Sequence, residues 1–303
     1  MELQLTNKTS SYSQAFQTAS QLKECLLSRK WDSQNELLEI LNFEILKICN
    51  ERRNSFIIKN VAKQLKKIIS DGCRDDTADI RESVLSLVYD FIVGIETSCN
   101  SIADQATEHV HANEIILTVG YSGTVKAFLK SASKKRRFHV IVVENAPSYS
   151  GHQMAKELAN ENIQTTIILD SAVFAIMARV NKVVIGGVSA ILANGAIIVN
   201  QGVHLTALSA KHHSVPLICL SALYKLTPLF LSSDDHSSFN KLISPENVLE
   251  PQDGVNVVCP MYDFVPPELI TLFVTGASTH SHALLYKLVQ DLYLKDSIGE
   301  LER

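Results

Sequence analysis

The residues that could carry chemistry lie at the ends of short apolar segments in the second part of the chain. The turn Gly120–Gly123 follows the apolar run Ile115–Val119 and precedes a helical pattern. Free backbone N–H groups at the start of a helix favour an anion such as phosphate. The turn is shorter than a G-x-G-x-x-G motif and lacks a Walker-type lysine, so a tight structural turn is the competing interpretation.

Two other strand ends carry polar side chains. Asp170 follows a strand and opens a helix, where an N-capping role competes with a catalytic or ligand-binding one. Glu144 and Asn145 follow another strand and could bind either a ligand or a neighbouring chain. After the strand Val183–Ile185, the stretch up to Gly202 offers Ser189 and Asn194 but no ionisable side chain. These positions provide a place for a ligand without a convincing catalytic set.

Metal and nucleophile chemistry find little support. The pairs His109-x-His111 and His280-x-His282 lack a third ligand at helical or turn spacing, which favours ordinary surface histidines. The six cysteines are scattered without a C-x-x-C pair, so neither a zinc site nor a disulfide framework is indicated. No Ser-His-Asp or Cys-His arrangement stands out. We therefore predict no metal and no cofactor.

The composition is that of a globular protein with a full core. The chain has 303 residues, of which 46% are hydrophobic and 20% charged, with a net charge of −4. This balance gives no general electrostatic reason to bind nucleic acid or an anionic membrane, and the basic run Lys134–Arg137 is interpreted as a solvated face. There is no charged-then-apolar leader pattern and no apolar run of about 20 residues. A cytosolic location is expected.

The elements that position these residues change character along the chain. Residues 1–110 carry apolar side chains at helical spacing, which predicts an N-terminal helical bundle. From Glu114 onward, short β-branched runs alternate with helical patterns, which predicts a Rossmann-like, mostly parallel sheet over residues 111–303. The fold class is therefore α/β. In such sheets ligands bind outside the carboxyl ends of the strands, where the polar residues above lie.

Longer segments resemble a known family. The run from Val180 to Leu226, VNKVVIGGVSAILANGAIIVNQGVHLTALSAKHHSVPLICLSALYKL, is similar to the regulatory subunits of eukaryotic translation initiation factor 2B, as is DFVPPELITLFVT from Asp263 to Thr275. The segments AKHHSVPLI, GHQMAKEL and FVPPELITLF are most similar to the beta branch of that family, with the alpha and delta branches as the nearest alternatives.

The same fold occurs in sugar-phosphate isomerases, and that comparison bears on catalysis. Where those enzymes have a catalytic cysteine and aspartate, this chain has Gly120 and Ser189. Where they hold phosphate with an arginine and a lysine, it has Ala146 and Asn200. Isomerisation needs a positioned acid and base. The resemblance therefore implies no catalytic residue and a vestigial pocket, which comprises Gly120, Ser122, Asp170, Ser189 and Asn200.

The resemblance also implies partners. These are the alpha, gamma, delta and epsilon subunits of initiation factor 2B, and initiation factor 2 with its phosphorylated alpha subunit, in an assembly that exchanges guanine nucleotide. No direct contact with nucleic acid or membrane is expected. The subunit-interface candidates are Lys126, Glu144, Asn145 and His152. An isomerase with relocated catalytic groups and a sensor of sugar phosphates or nucleotides stay open as alternatives.

Overall fold

Helices make up the first part of the chain. The structure, a computed structural model, describes residues 10–31, 34–51, 55–72, 80–231, 240–250 and 252–293. The first four helices are α1 (Ser11–Ser28), α2 (Gln34–Glu51), α3 (Phe56–Gly72) and α4 (Ile80–Asp104). On α3 the apolar positions Val61, Leu65 and Ile69 are fully buried, as their helical spacing predicts.

Strands and helices alternate after α4. The strands are β1 (Ile115–Val119), β2 (His139–Val143), β3 (Gln164–Ile168), β4 (Lys182–Ile185), β5 (Val188–Ile191), β6 (Ile197–Asn200), β7 (Leu217–Leu220), β8 (Tyr262–Val265), β9 (Leu272–Val274) and β10 (Thr279–His280). The helices are α5 (Ala106–His109), α6 (Gly123–Ser133), α7 (Ser150–Asn160), α8 (Val173–Met177), α9 (Val203–His212) and α10 (His282–Leu292).

Seven strands form one mostly parallel sheet. Their order is β10-β9-β7-β4-β1-β2-β3, and only the β9–β10 pair is antiparallel. After β3 the chain returns past β1 to form β4, so β1 pairs with β2 on one side and with β4 on the other. This reversal is the topological switch point of an open α/β sheet, where ligands bind at the strand ends. The predicted α/β fold is confirmed.

The core of this sheet is apolar on the strands and on the helices that follow them. In β4 every residue is buried, and in β1 and β2 only the first residue is half-buried. Phe128 of α6 and Met154 of α7 are completely buried in the same cluster. Continuous β-branched runs are typical of parallel strands covered on both faces, which explains why the sequence pattern located these strands.

Three strands form a second sheet that was not predicted. β5, β6 and β8 pair antiparallel in the order β5-β6-β8. The dipeptide Asn194-Gly195, which is typical of tight turns, joins β5 to β6, with Gly195 at φ 86°. The helical segment that Asp170 opens is short and consists of a 3₁₀ turn at Asp170–Ala172 followed by α8.

The chain forms two compact units. One comprises Met1–Thr97, Tyr224–Leu229 and Lys287–Arg303, and the other comprises Ser98–Leu223 and Phe230–Tyr286. The predicted division into domains at residue 110 stays a prediction. Among the described residues, no helix combines the length and the apolar character that crossing a bilayer requires.

Candidate functional site

The carboxyl ends of β1, β2 and β4 meet at the switch point, and we call the region between Gly120, Asn145, Asp170 and Gly202 the strand-end crevice. Gly120 has φ +60°, and its N–H donates to Val143 O at 3.1 Å. A Cβ at Gly120 would lie 2.8 Å from Ser150 Oγ and 3.1 Å from Asn145 Oδ1. A side chain therefore has neither the backbone conformation nor the space to replace this glycine.

Asn145 projects into the crevice and is only 3% exposed. Its backbone is in the left-handed region at φ 62°, which asparagine tolerates better than most residues. Its Nδ2 donates to Gln201 O at 2.6 Å, and its Oδ1 accepts from the hydroxyls of Ser148 at 3.0 Å and Ser150 at 3.3 Å. Predicted as an interface residue, Asn145 has its side chain inside the crevice.

Asp170 does not act as a helix cap, and the N-capping interpretation is wrong. The N-cap position of its 3₁₀ turn is Leu169, and no side chain caps that turn. The Asp170 carboxylate instead accepts from the Ala146 N–H at 2.8 Å, across 24 residues of sequence. Gln201 Nε2 donates to the carbonyl of the same Ala146 at 2.7 Å. The residue after Asn145 is thus held from both sides.

The turn between β6 and α9 closes over this group. Gly202 has φ +89°, and a Cβ there would lie 3.4 Å from Asn145 Nδ2 and 3.5 Å from Asp170 Oδ1. A Cβ at Gly187 would lie 3.4 Å from Asn200 Nδ2. Asn200, which was predicted to line the pocket, therefore borders the turn at Gly187. Glycine at both turns lets the backbone pass close to these polar side chains.

The two serines predicted in the pocket have structural positions. Ser122 is buried, and its Oγ caps α6 by accepting from Val125 N at 3.4 Å. A Cβ at Gly186 would lie 2.3 Å from that oxygen, so the strand end packs against the cap. Ser189 is half-buried in β5, where the register with β6 shifts between Val188 and Ala190. It therefore occupies a β-bulge.

Lys126, an interface candidate, is engaged within its own unit. Its Nζ lies 2.7 Å from Glu157 Oε2, which also accepts from the Tyr121 hydroxyl at 3.0 Å. Gln153 donates to the other oxygen of Glu157 at 2.8 Å. Burial raises the pKa of Glu157, but these three hydrogen bonds outweigh burial and place the pKa below its ordinary value. The hydrogen bond to Glu157 raises the pKa of Lys126.

Glu144 and His152 form a second group at the surface. His152 Nε2 lies 3.5 Å from Glu144 Oε2, and the His152 side chain is 52% exposed. The ring of Tyr149 meets the His152 ring edge-on at 5.6 Å. Glu144 comes just before Ala146, which Asp170 and Gln201 hold, and Tyr149 and His152 come just after it, so these contacts help to position all three.

An exposed apolar surface lies nearby in the same unit, and the sequence analysis missed it. Phe174 of α8 is 53% exposed, and Leu205 and Leu208 of α9 are each 51% exposed. The Phe174 ring packs against His212 and His213 at 5.1 and 5.0 Å. We call these residues the α8–α9 apolar surface. Exposed apolar patches of this kind mark interaction sites, and the spacing Leu205, Leu208, His212 on one helix face was its signal in the sequence.

The histidine pairs do not come together as a metal centre. His109 Nε2 lies 3.1 Å from Thr279 Oγ1, and burial lowers the pKa of its imidazole. His280 Nε2 lies 3.0 Å from Ser278 Oγ. Within the described ranges, no three or more histidine, cysteine, aspartate or glutamate side chains form a group that could hold a metal ion.

The fold and the crevice define an α/β protein of the Rossmann-like class, in which the carboxamide of Asn145 lies at the strand-end position and the carboxylate of Asp170 accepts from the Ala146 amide. A model of the initiation factor 2 subunit family matches residues 7–278, and the chain belongs to that family. It is 40% identical over 240 residues to translation initiation factor eIF2B subunit beta of Dictyostelium discoideum, a match that covers 75% of this chain. The resemblance predicted from the sequence is confirmed.

Two further comparisons bear on fold and extent. The chain aligns with a chain of the tetrameric eIF2B-beta2-delta2 complex from C. thermophilum at a TM-score of 0.79 and 23% identity, covering 94% of this chain and 90% of that one. It is 26% identical over 257 residues to ribose 1,5-bisphosphate isomerase of Archaeoglobus fulgidus, which covers 84% of this chain and 80% of that enzyme. The chain spans 61% of the Dictyostelium subunit.

Proposed function

We propose that this chain is a non-catalytic, beta-type regulatory subunit of the cytosolic initiation factor 2B guanine-nucleotide exchange complex. In this role it assembles with the alpha, gamma, delta and epsilon subunits, helps bind initiation factor 2 and senses phosphorylation of its alpha subunit. The observation that carries the proposal is the strand-end crevice, whose one described carboxylate, Asp170, is hydrogen-bonded to the chain's own backbone.

At the positions where the resemblance places the catalytic and phosphate-binding groups of sugar-phosphate isomerases, this chain has uncharged residues. General acid–base catalysis needs ionisable side chains within hydrogen-bond reach of the reacting atoms. Gly120, Ser189 and Asn200 are neutral at neutral pH, and Ala146 provides no cation for phosphate. Asp170 Oδ2 is committed to the Ala146 amide at 2.8 Å. The similarity to a ribose 1,5-bisphosphate isomerase is therefore interpreted as shared ancestry of the fold.

The α8–α9 apolar surface supports assembly with another subunit. Phe174, Leu205 and Leu208 each leave about half of their surface in water in the isolated chain. Covering such side chains gains about 25 cal/mol per Å² of apolar area. The aligned complex from C. thermophilum is a tetramer of beta and delta subunits. In our proposal a delta-type subunit covers this surface.

The N-terminal helices support recognition of a phosphorylated partner. Phe43 and Tyr89 are 63% and 56% exposed, and each has a cation above its ring. The Arg29 guanidinium lies 5.9 Å from the Phe43 ring centre, and Lys23 Nζ lies 5.3 Å from that of Tyr89. Lys23 beside the exposed Tyr89 ring suits an anionic segment, because its ammonium offers charge-assisted hydrogen bonds to phosphate. Arg29 also forms an ion pair with Glu44 at 2.5 Å, so a phosphate there would share the guanidinium with that carboxylate. In our proposal these helices contribute to the contact with initiation factor 2.

Affinity purification of the chain from native extract at moderate salt tests the proposal. We expect recovery of a delta-type partner together with the other initiation factor 2B subunits. Recovery without any delta-type partner contradicts the regulatory assignment. The purified chain should also give no turnover of ribose 1,5-bisphosphate or methylthioribose 1-phosphate, and measurable turnover would overturn the non-catalytic role.

A further inference from the structure

One side chain of the protein itself occupies the strand-end crevice. The Asn145 carboxamide has its Oδ1 3.1 Å from the Cβ position of Gly120 and its Nδ2 3.4 Å from that of Gly202. It therefore spans the gap between the two glycines that border the crevice. Anything that entered between them would first have to displace this carboxamide.

The polar atoms of Asn145 are satisfied as those of a bound ligand would be. The carbonyl oxygen accepts from two hydroxyls, those of Ser148 and Ser150, and the amide nitrogen donates to Gln201 O. Removal of the carboxamide would leave the hydroxyl of Ser150 and the carbonyl of Gln201, both half-buried, with one hydrogen-bond partner fewer, which is unfavourable. Ser148 is exposed, and its hydroxyl also donates to Asn145 O at 3.0 Å. The crevice is complementary to a carboxamide at this position.

The same region fixes the turn that follows. Ala146 donates to Asp170 Oδ2 and accepts from Gln201 Nε2, and Tyr149 N donates to Asn145 O at 2.9 Å. Two of these hydrogen bonds join the turn to other segments, those after β3 and β6, and the third lies within the turn itself. Their number explains how a left-handed φ of 62° at Asn145 is maintained.

We propose that Asn145 is a built-in occupant of the strand-end crevice, which keeps the ligand position of the fold closed and holds the Ala146–Tyr149 turn in one conformation. This inference concerns the chain alone and does not depend on its assembly with other subunits. It is therefore testable even where the proposed regulatory function fails.

Substitution Asn145→Gly removes the carboxamide and leaves a residue that accepts the left-handed backbone. The matched control is Asn162→Gly, at an exposed asparagine with φ 59° in the turn after α7. By hydrogen–deuterium exchange of the purified chain, we expect the amides of Ala146, Tyr149 and Gly151 to exchange about tenfold faster in the first variant only. Excess acetamide, which has the atoms of the missing side chain, should restore part of the protection.

Unchanged exchange in Asn145→Gly, or lost protection that acetamide does not restore, would overturn the occupant role. A second measurement uses the natural chain and does not depend on the variant's folding. Millimolar ribose 1,5-bisphosphate should leave exchange at Gly120–Gly123 and Asn145–Gly151 unchanged. Protection of these amides by the sugar phosphate would show that the crevice is open and would contradict the inference.

Discussion

Oδ1 of Asn145 lies 3.1 Å from the point where a Cβ of Gly120 would stand. Because Gly120 also has φ +60°, Gly120→Ala meets both a crowded site and an unfavourable backbone conformation. The backbone alone should lower the free energy of unfolding by about 1–2 kcal/mol. Urea denaturation measures this loss, with Gly123→Ala as the control. A Cβ at Gly123 would meet nothing within 4 Å, so the free energy of unfolding of that variant should change by no more than about 0.5 kcal/mol. Equal stability of the two variants would contradict the geometry.

Gly151 is packed against backbone that cannot move aside. A Cβ there would lie 2.2 Å from Val143 O and 2.8 Å from Glu144 Cα. We expect Gly151→Ala to lower the free energy of unfolding by about 2–3 kcal/mol, because overpacking shifts the end of β2. The control Gly94→Ala lies at an exposed position of α4 with nothing within 4 Å, and it should raise stability by about 0.5–1 kcal/mol. Thermal unfolding checks this: the unfolding temperature should fall in Gly151→Ala and rise in Gly94→Ala.

The Lys126–Glu157 pair should stabilise the fold over a defined pH window. The pKa of Glu157 is lower in the folded than in the unfolded chain. Its contribution to stability is therefore complete at pH values above the pKa of the unfolded chain, and it is lost as the pH falls through the pKa of the folded chain. The pKa of Lys126 is higher in the folded than in the unfolded chain. Its contribution to stability is therefore complete at pH values below the pKa of the unfolded chain, and it is lost as the pH rises through the pKa of the folded chain. The stability that this pair contributes should therefore not change with pH between the unfolded-state pKa values of Glu157 and Lys126.

Glu157→Gln measures the size of that contribution. Since both side chains are about one-third exposed, we expect the substitution to lower the free energy of unfolding by less than about 1 kcal/mol at neutral pH. In the variant, this pair should no longer contribute to the loss of stability as the pH falls. Glu161→Gln, which breaks the more exposed pair with Lys130, is the control and should have a smaller effect. Urea denaturation at a series of pH values compares the free energies of unfolding of the two variants. Identical pH profiles would contradict the larger contribution of the Lys126–Glu157 pair.

Leu208 should matter for assembly more than for folding. It is 51% exposed on α9, so Leu208→Asp should leave the unfolding temperature of the isolated chain nearly unchanged. If a partner covers the α8–α9 apolar surface, the same change buries a charge and should reduce co-purification of a delta-type partner about tenfold or more. Leu242→Asp, at a leucine that is 70% exposed elsewhere, is the control. Equal recovery with both variants would remove the α8–α9 surface from the interface.

Tyr293 connects three segments of the first unit. Its hydroxyl donates to Leu226 O at 2.5 Å and accepts from Gln64 Nε2 at 3.0 Å, with the residue 1% exposed. Tyr293→Phe leaves buried polar atoms with fewer partners and should cost about 1–3 kcal/mol of unfolding free energy. The matched change Tyr12→Phe, at a tyrosine that is 44% exposed, should be near neutral. Denaturant unfolding distinguishes the two, and a neutral Tyr293→Phe would mean that the network contributes little.

Local pattern was sufficient to predict the parallel sheet. Val183–Ile185 is buried on both faces, and its β-branched residues are typical of such a strand. The antiparallel β5-β6-β8 sheet was missed, because Ile197–Val199 is equally apolar and nothing local tells which sheet an apolar run joins. Strand pairing depends on residues distant in sequence, such as Ile198 opposite Phe264.

The candidate site divides in the same way. The residue types alone determined that Gly120, Ala146, Ser189 and Asn200, which stand where the resemblance places catalytic and phosphate-binding groups, carry no charge. Only the tertiary structure decided that Asp170 binds the Ala146 amide and that Asn145 reaches Gln201, 56 residues away. Hydrogen bonds of this kind form between groups that the sheet brings together, and composition and spacing along the chain do not contain that proximity.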